Sequence, residues 1–213
     1  MDRRELLKLV ALATGGALIG GEMFLTGCKN EPGIGGVDFS ADDIAFLDEV
    51  GETIIPKTKS PGAKEAQVGE FMKVMVNDCY SDEDQKTFHA GIRELNDACK
   101  NMHKVGFMEA TPEQRHALLV DLDKAAKEHQ KKKGEFDKAQ NAKAKEESAK
   151  GNKDYKKEQM PSHYFTMMKQ LTITGFFTSK PGATQALRYM PVPGRYDGAM
   201  PYTKGEKAWA ATG

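Results

Sequence analysis

The chain has 213 residues, room for one domain and a small extension at about 150 residues per domain. Its 31 lysines and arginines balance 31 aspartates and glutamates, which argues against a nucleic-acid binder with its basic surplus and against an acidic disordered chain. Hydrophobic residues make up 39%, sufficient for one core, and three cysteines exclude a disulfide-stapled scaffold.

The first segment reads as an address. Arg3-Arg4-Glu5-Leu6-Leu7-Lys8 is a twin-arginine pattern, and Leu9 to Gly21 follows without a charge. That stretch is shorter than the about 20 apolar residues a membrane span needs and suits a signal-peptide core. Leu25-Thr26-Gly27-Cys28 resembles a bacterial lipobox, in which the Cys thiol is acylated and the chain is cut before it. The alternative is a core helix with an incidental cysteine. The order of the three elements favours a signal over residues 1–27, a lipid-anchored mature chain from Cys28, and a Gly/Pro-containing tether over 28–38. The expected location is therefore the periplasm or cell envelope. The twin-arginine route resembles a transporter of folded proteins, often with a cofactor or partner subunit aboard. Arg3, Arg4 and Lys8 are matched by Asp2, Glu5 and Glu22, so the mature chain is also neutral.

Helix signals then follow in order over 39–213. Ser40 with Asp43 forms an N-cap, with Phe39 and Ile44 placed as a hydrophobic staple. Ile44, Leu47, Val50 and Ile54 recur at helical spacing, and Pro56 stops the helix. A second helix is predicted from about Ala63 to Tyr80, with Val68, Phe71, Met72, Met75, Val76 and Cys79 as its stripe. Ser81 and the acids Asp82, Glu83 and Asp84 open a third helix, ending near Gly106. Thr111-Pro112-Glu113-Gln114 starts a fourth, with Leu118, Leu119 and Leu122 on its buried face.

Composition shifts at Lys124. To Glu158 there are 12 lysines against 7 acidic residues, a net +5, and apolar periodicity nearly vanishes. This charged insert, 124–160, is either a solvated helical extension or hairpin, or disordered. The rest of the mature chain carries −5. Order resumes at Pro161 and Ser162, and Tyr164, Phe165, Met168, Leu171, Thr172, Gly175 and Phe176 form another helix face. From Thr178 the chain is rich in Pro, Gly and Tyr, with a short helix expected only over Ala183–Tyr189. Strand signals are almost absent. The expected fold is mainly α, a small helical bundle with the charged insert and an irregular C-terminal tail.

Catalytic motifs are missing. His89, His103, His116, His129 and His163 form no H-E-x-x-H or H-x-H pattern. His89 and His103 lie roughly 21 Å apart along one helix, too far to share a metal. No C-x-x-C-H, G-x-G-x-x-G or G-x-S-x-G occurs. Cys79 and Cys99, roughly 25 Å apart on consecutive helices, cannot meet the about 7 Å limit for a disulfide and read as core. No catalytic, cofactor-binding or metal-binding residue is assigned. In the tail, Pro and Gly frame Arg195, Tyr196, Asp197 and Tyr202, the candidate partner contacts, because Arg and Tyr are enriched at binding hot spots. A tail wrapping its own domain would have the same composition.

Four segments carry a family likeness: Glu52-Thr53-Ile54-Ile55-Pro56 with Ser60-Pro61-Gly62-Ala63; Val68-Gly69-Glu70-Phe71 with the helix to Tyr80; Leu171 to Ser179 with Gly182-Ala183; and Pro191-Val192-Pro193-Gly194-Arg195-Tyr196-Asp197-Gly198. With these the chain resembles, from about Phe39 to Tyr202, the small-subunit family (subunit 3) of flavin-dependent gluconate 2-dehydrogenase complexes. Lys124–Glu158 departs from that pattern. The resemblance implies a non-catalytic accessory subunit. Its partner would be a large FAD-dependent dehydrogenase of the glucose–methanol–choline type acting on a sugar or sugar acid, with a cytochrome c subunit often next in line. Two other readings are a cell-envelope lipoprotein module without a redox partner and a stand-alone exported sugar-active enzyme.

Overall fold

The computed structural model describes residues 39–152, 155–192, 194, 198–201 and 203–210, so the signal and tether, with Arg3, Arg4 and Cys28, lie outside the described residues. Helix α1 spans Ala41–Ile54 and opens as its sequence predicts. The Asp43 N–H donates to Ser40 Oγ at 3.1 Å, and Asp43 Oδ2 accepts from the Ser40 N–H at 3.0 Å. Two orphan donors are thereby satisfied reciprocally. Phe39 packs its ring on Phe88 and on the buried His89.

Helix α2 spans Val68–Cys79, five residues later than expected at its start. Ala63–Gln67 instead forms tight turns, with the Ala66 N–H bonded to Ala63 O at 3.1 Å and the Gln67 N–H to Lys64 O at 3.0 Å. Gln67 sits in the left-handed region at φ 54 and breaks the helix there. The cap comes from another element: Asp48 Oδ1 on α1 accepts the Gly69 N–H at 2.8 Å. Burial pushes the Asp48 carboxyl up, although that bond works against the rise. Cys79, expected in the core, is exposed at the end of α2, whereas Cys99 is buried.

Helix α3 spans Asp82–His103, capped by Ser81 Oγ and closed by Lys104 at φ 65. Its acidic first turn and its last-turn Lys100 and His103 both suit the helix dipole. Helix α4 runs without interruption over Pro112–Ala149, 38 residues or about 57 Å. Thr111 and Gln114 form its capping box. The charged segment is thus helical as far as Ala149. Tyr155–Ser162 then returns along it: the Tyr155 hydroxyl bonds Gln140 Oε1 at 3.1 Å, Gln140 Nε2 bonds Glu158 at 3.1 Å, and Lys157 bonds Asn141 at 2.8 Å. These contacts bury Gln140 in a stretch that offers little apolar surface.

Helix α5, Tyr164–Thr178, is apolar nearly all round and packs against α1, α2, α3 and α4, as a central helix must. Phe165, Met168, Leu171 and Phe176 meet Leu47, Val68, Met72, Phe88 and Leu95 in one core. Lys169 on α5 reaches Asp123 on α4 at 2.5 Å. The short helix expected over Ala183–Tyr189 is a π-helical turn, Gly182–Ala186. Gly182 is required there, because a Cβ would lie 1.8 Å from the Phe176 carbonyl oxygen. Beyond it the described tail is irregular, as expected, and it folds back on itself. Arg188 and Trp209 form a parallel bridge, the Arg188 guanidinium covers the Trp209 ring at 4.3 Å, and Arg188 pairs with Glu206 at 3.3 Å. Among the described residues no helix is long and apolar enough to cross a membrane.

Candidate interaction surface

After Lys169, helix α5 carries no charge, and the next basic residue is Lys180. Its outer side nevertheless faces solvent: Gln170, Ile173, Thr174, Phe177 and Thr178 are all exposed. Ile173 and Phe177, each 41% exposed, are four residues apart and share one face. Helix α2 lies close alongside, since a Cβ on Gly175 would be 2.6 Å from the Phe71 ring. One turn beyond Phe71, Val74 is 52% exposed. In a chain with 29% charged residues, this outward helix face of Gln, Ile, Thr and Phe is the candidate interaction surface. The tail adds exposed Tyr189, Met190, Val192, Met200 and Trp209.

The tail contacts predicted from sequence, Arg195, Tyr196, Asp197 and Tyr202, lie outside the described residues. Their described neighbours Val192, Gly194 and Gly198–Pro201 are exposed, and Gly194 takes a φ of 75.

Two clusters escaped the sequence reading. In the first, Arg115 of α4 donates from Nε to Phe107 O and from Nη2 to Met108 O, both at 2.8 Å, and pairs through Nη1 with Glu49 of α1. Its side chain is only 13% exposed and that of Glu49 17%. Lys64 pairs with the same carboxylate. Burial alone would push the Glu49 carboxyl up, but the Lys64 hydrogen bond and the Arg115 charge outweigh it and hold it below the ordinary value. Beside this cluster the Glu52 carboxylate accepts the Lys57 N–H at 2.8 Å and the Lys64 N–H at 2.9 Å, fixing the loop after Pro56. No periodicity reports such pairings, which join residues far apart in sequence.

The second cluster joins His129 of α4 and His163, the N-cap of α5, with ring centres 5.7 Å apart. They line a cleft of about 400 Å³ with Lys86, Glu94 and Tyr164. Burial and Glu94 push the Tyr164 phenol up to about 12. His163 Nδ1 accepts the Phe165 N–H at 3.2 Å, so its neutral ring carries the proton on Nε2 and has no lone pair left for a metal. Among the described residues no three potential ligands gather at one point.

The family model of gluconate 2-dehydrogenase subunit 3 matches residues 41–194. The chain belongs to this family. Searches of curated proteins and of solved structures gave no significant match. Membership of the subunit 3 family points to an accessory subunit of a gluconate 2-dehydrogenase-type complex, in partnership with a dehydrogenase. The segments shared with the family now have physical roles. Glu52 holds the loop that leads into α2, and Leu171–Ser179 supplies both core residues, Leu171, Thr172 and Phe176, and the uncharged outer positions Ile173, Thr174 and Phe177 of α5. Two clefts among the described residues are unsuited to the flavin that the family implies for the complex. They are open and lined by long charged side chains such as Lys86, Glu94, Arg93 and Lys100, where a flavin needs a mostly apolar slot.

Proposed function

We propose that this chain is a non-catalytic subunit that binds and stabilises a large FAD-dependent dehydrogenase of the glucose–methanol–choline type and supports its export. The observation that carries this reading is the uncharged, exposed face of α5 with Ile173 and Phe177. Burying the exposed remainder of each such side chain on a partner contributes about 1 kcal/mol before the cost of association, and a bound partner stabilises the fold by mass action. The twin-arginine pattern at Arg3 and Arg4 supports export of the folded pair, and Cys28 supports a lipid anchor at the cell envelope. A cytochrome c subunit would accept the electrons. The tail residues Arg195, Tyr196, Asp197 and Tyr202 add contacts to the same partner.

The test is co-purification from membranes of cells expressing the whole complex. A large partner with flavin absorbance is expected to accompany the chain. Ile173→Asp with Phe177→Asp, at exposed positions, should reduce its recovery at least tenfold while leaving helical content intact. Absence of any flavoprotein, or full recovery with the double variant, would sink this reading.

A further inference from the structure

Charge is segregated along this chain. Residues 39–123 hold 9 basic and 17 acidic residues, whereas 124–158 hold 12 lysines and 7 acids. The basic part is the far portion of α4 and the segment returning along it. Lys131, Lys138 and Lys145 recur every seven residues, so they form one row along the exposed side of the helix, about 10 Å apart. Lys124 and Lys127 extend the row toward the core and are paired with Asp121 and Asp123. Lys131, Lys138 and Lys145, by contrast, have no ion-pair partner among the described residues, and neither do Lys132 and Lys143 on the neighbouring flank. Glu128, Glu135 and Glu146 lie between the two lysine rows, while Glu147 turns toward the return, bonding Asn152.

A third observation sits at the tip. Asn141, Ala144, Lys145, Ser148 and Lys157 line a cleft of about 480 Å³ between α4 and the returning chain, with no carboxylate in its lining. Two ammonium groups, a hydroxyl and an amide around such a space suit a phosphate group.

We propose that the projecting part of α4 is a docking surface for anionic, phosphate-bearing lipid headgroups. The positions interleaved with the lysines on this row are Gly134, Ala142 and Ala149, all small. A protein partner would need aromatic or large apolar anchors there; a headgroup layer needs only mobile point charges, which lysine supplies. The acidic 39–123 portion is repelled by the same layer, so contact through α4 also orients the molecule. The inference stands apart from the flavoprotein reading. A lipid anchor at Cys28 would reinforce it by holding the chain at a membrane.

The full-length chain is sedimented with vesicles of phosphatidylcholine alone and with vesicles carrying added phosphatidylglycerol. Stronger binding to the anionic vesicles is expected, weakening as salt rises. Each lysine near such a surface is worth about 1 kcal/mol, roughly fivefold in affinity, so Lys131→Gln, Lys138→Gln and Lys145→Gln together should lower the anionic preference about a hundredfold. These positions are exposed, and unchanged helical content will show that the variant folds. Equal binding to both vesicle types, or an unaltered preference in the triple variant, overturns the proposal. So does release by inorganic phosphate beyond that by chloride of matched ionic strength, which would mark a site for free phosphate. Loss of the flavoprotein from the triple variant with vesicle binding retained would assign the row to a protein partner instead.

Discussion

Arg115 joins α4 to two other parts of the molecule through one planar group: the loop carbonyls of Phe107 and Met108 with the Phe107 ring, and Glu49 on α1. Charged hydrogen bonds of this kind are worth about 1.5–3 kcal/mol each, so Arg115→Ala is expected to lower stability by roughly 3 kcal/mol in urea unfolding. Removing the carboxylate tests the same cluster through pH. The folded-state pKa of Glu49 lies below its ordinary value near 4.5, so its contribution is full above that pH and is lost as pH falls through the folded value. The stability gap between the native chain and Glu49→Gln should therefore be widest near neutrality and close below about pH 4.5. A gap that stays constant would show that the ion pair contributes nothing.

At the scale of elements, the helix starts divide by where their caps come from. Ser40 with Asp43, Ser81 with Asp84 and Thr111 with Gln114 are local patterns, and α1, α3 and α4 begin where the sequence places them. Helix α2 begins late because its acceptor, Asp48, lies on a different helix. The π-helical turn at Gly182 depends on closeness to Phe176, which no spacing reveals. The start of α5 is capped by an imidazole, and this makes it sensitive to pH. Burial, then the nearby His129, hold His163 below its ordinary value of 6.5, while Glu94 opposes them and Lys86 and Tyr164 line the same cleft. With a lowered folded pKa the cap is intact above 6.5 and weakens as pH falls through the folded value, when Nδ1 takes a proton and can no longer accept the Phe165 N–H. His163→Asn keeps a capping side chain without titrating. It should flatten the fall in unfolding free energy between pH 7 and 5, and an unchanged slope would place the pH dependence elsewhere.

At the scale of the whole molecule, the mainly helical class was legible because 3.6-residue apolar stripes run through α1, α2 and α3 and the first part of α4. The state of 124–158 was not legible. A segment without an apolar face gives helix and disorder the same pattern, and what decides is the returning chain with Tyr155, Lys157 and Glu158 on Gln140 and Asn141. The interaction surface was half visible. Its Leu171–Ser179 stretch stood out as a family segment, yet which side faces outward depends on α2 covering Gly175. Stability must also be uneven along α4. Leu118, Leu119 and Ala126 are in the core, while beyond Lys131 the helix is held chiefly by polar contacts. Amide hydrogen exchange should therefore be slow at Leu118–Ala126 and at least a hundredfold faster at Lys143–Ala149 within the same helix. Uniform protection would mean that the projection is stabilised by something besides its own return.

The unbroken course of α4 also has a mechanical consequence. From Gln130 to Ala149 the rod extends about 28 Å past its core-packed half. With no proline or π-bulge in that stretch to absorb bending, a tilt of about 5° at Asp123, about 39 Å from the tip, would move the tip by about 3.4 Å. The Asp123–Lys169 pair stands at that fulcrum. A load on the lysine-bearing end would thereby be geared down into a small rotation at α5, the helix that carries the candidate interaction surface.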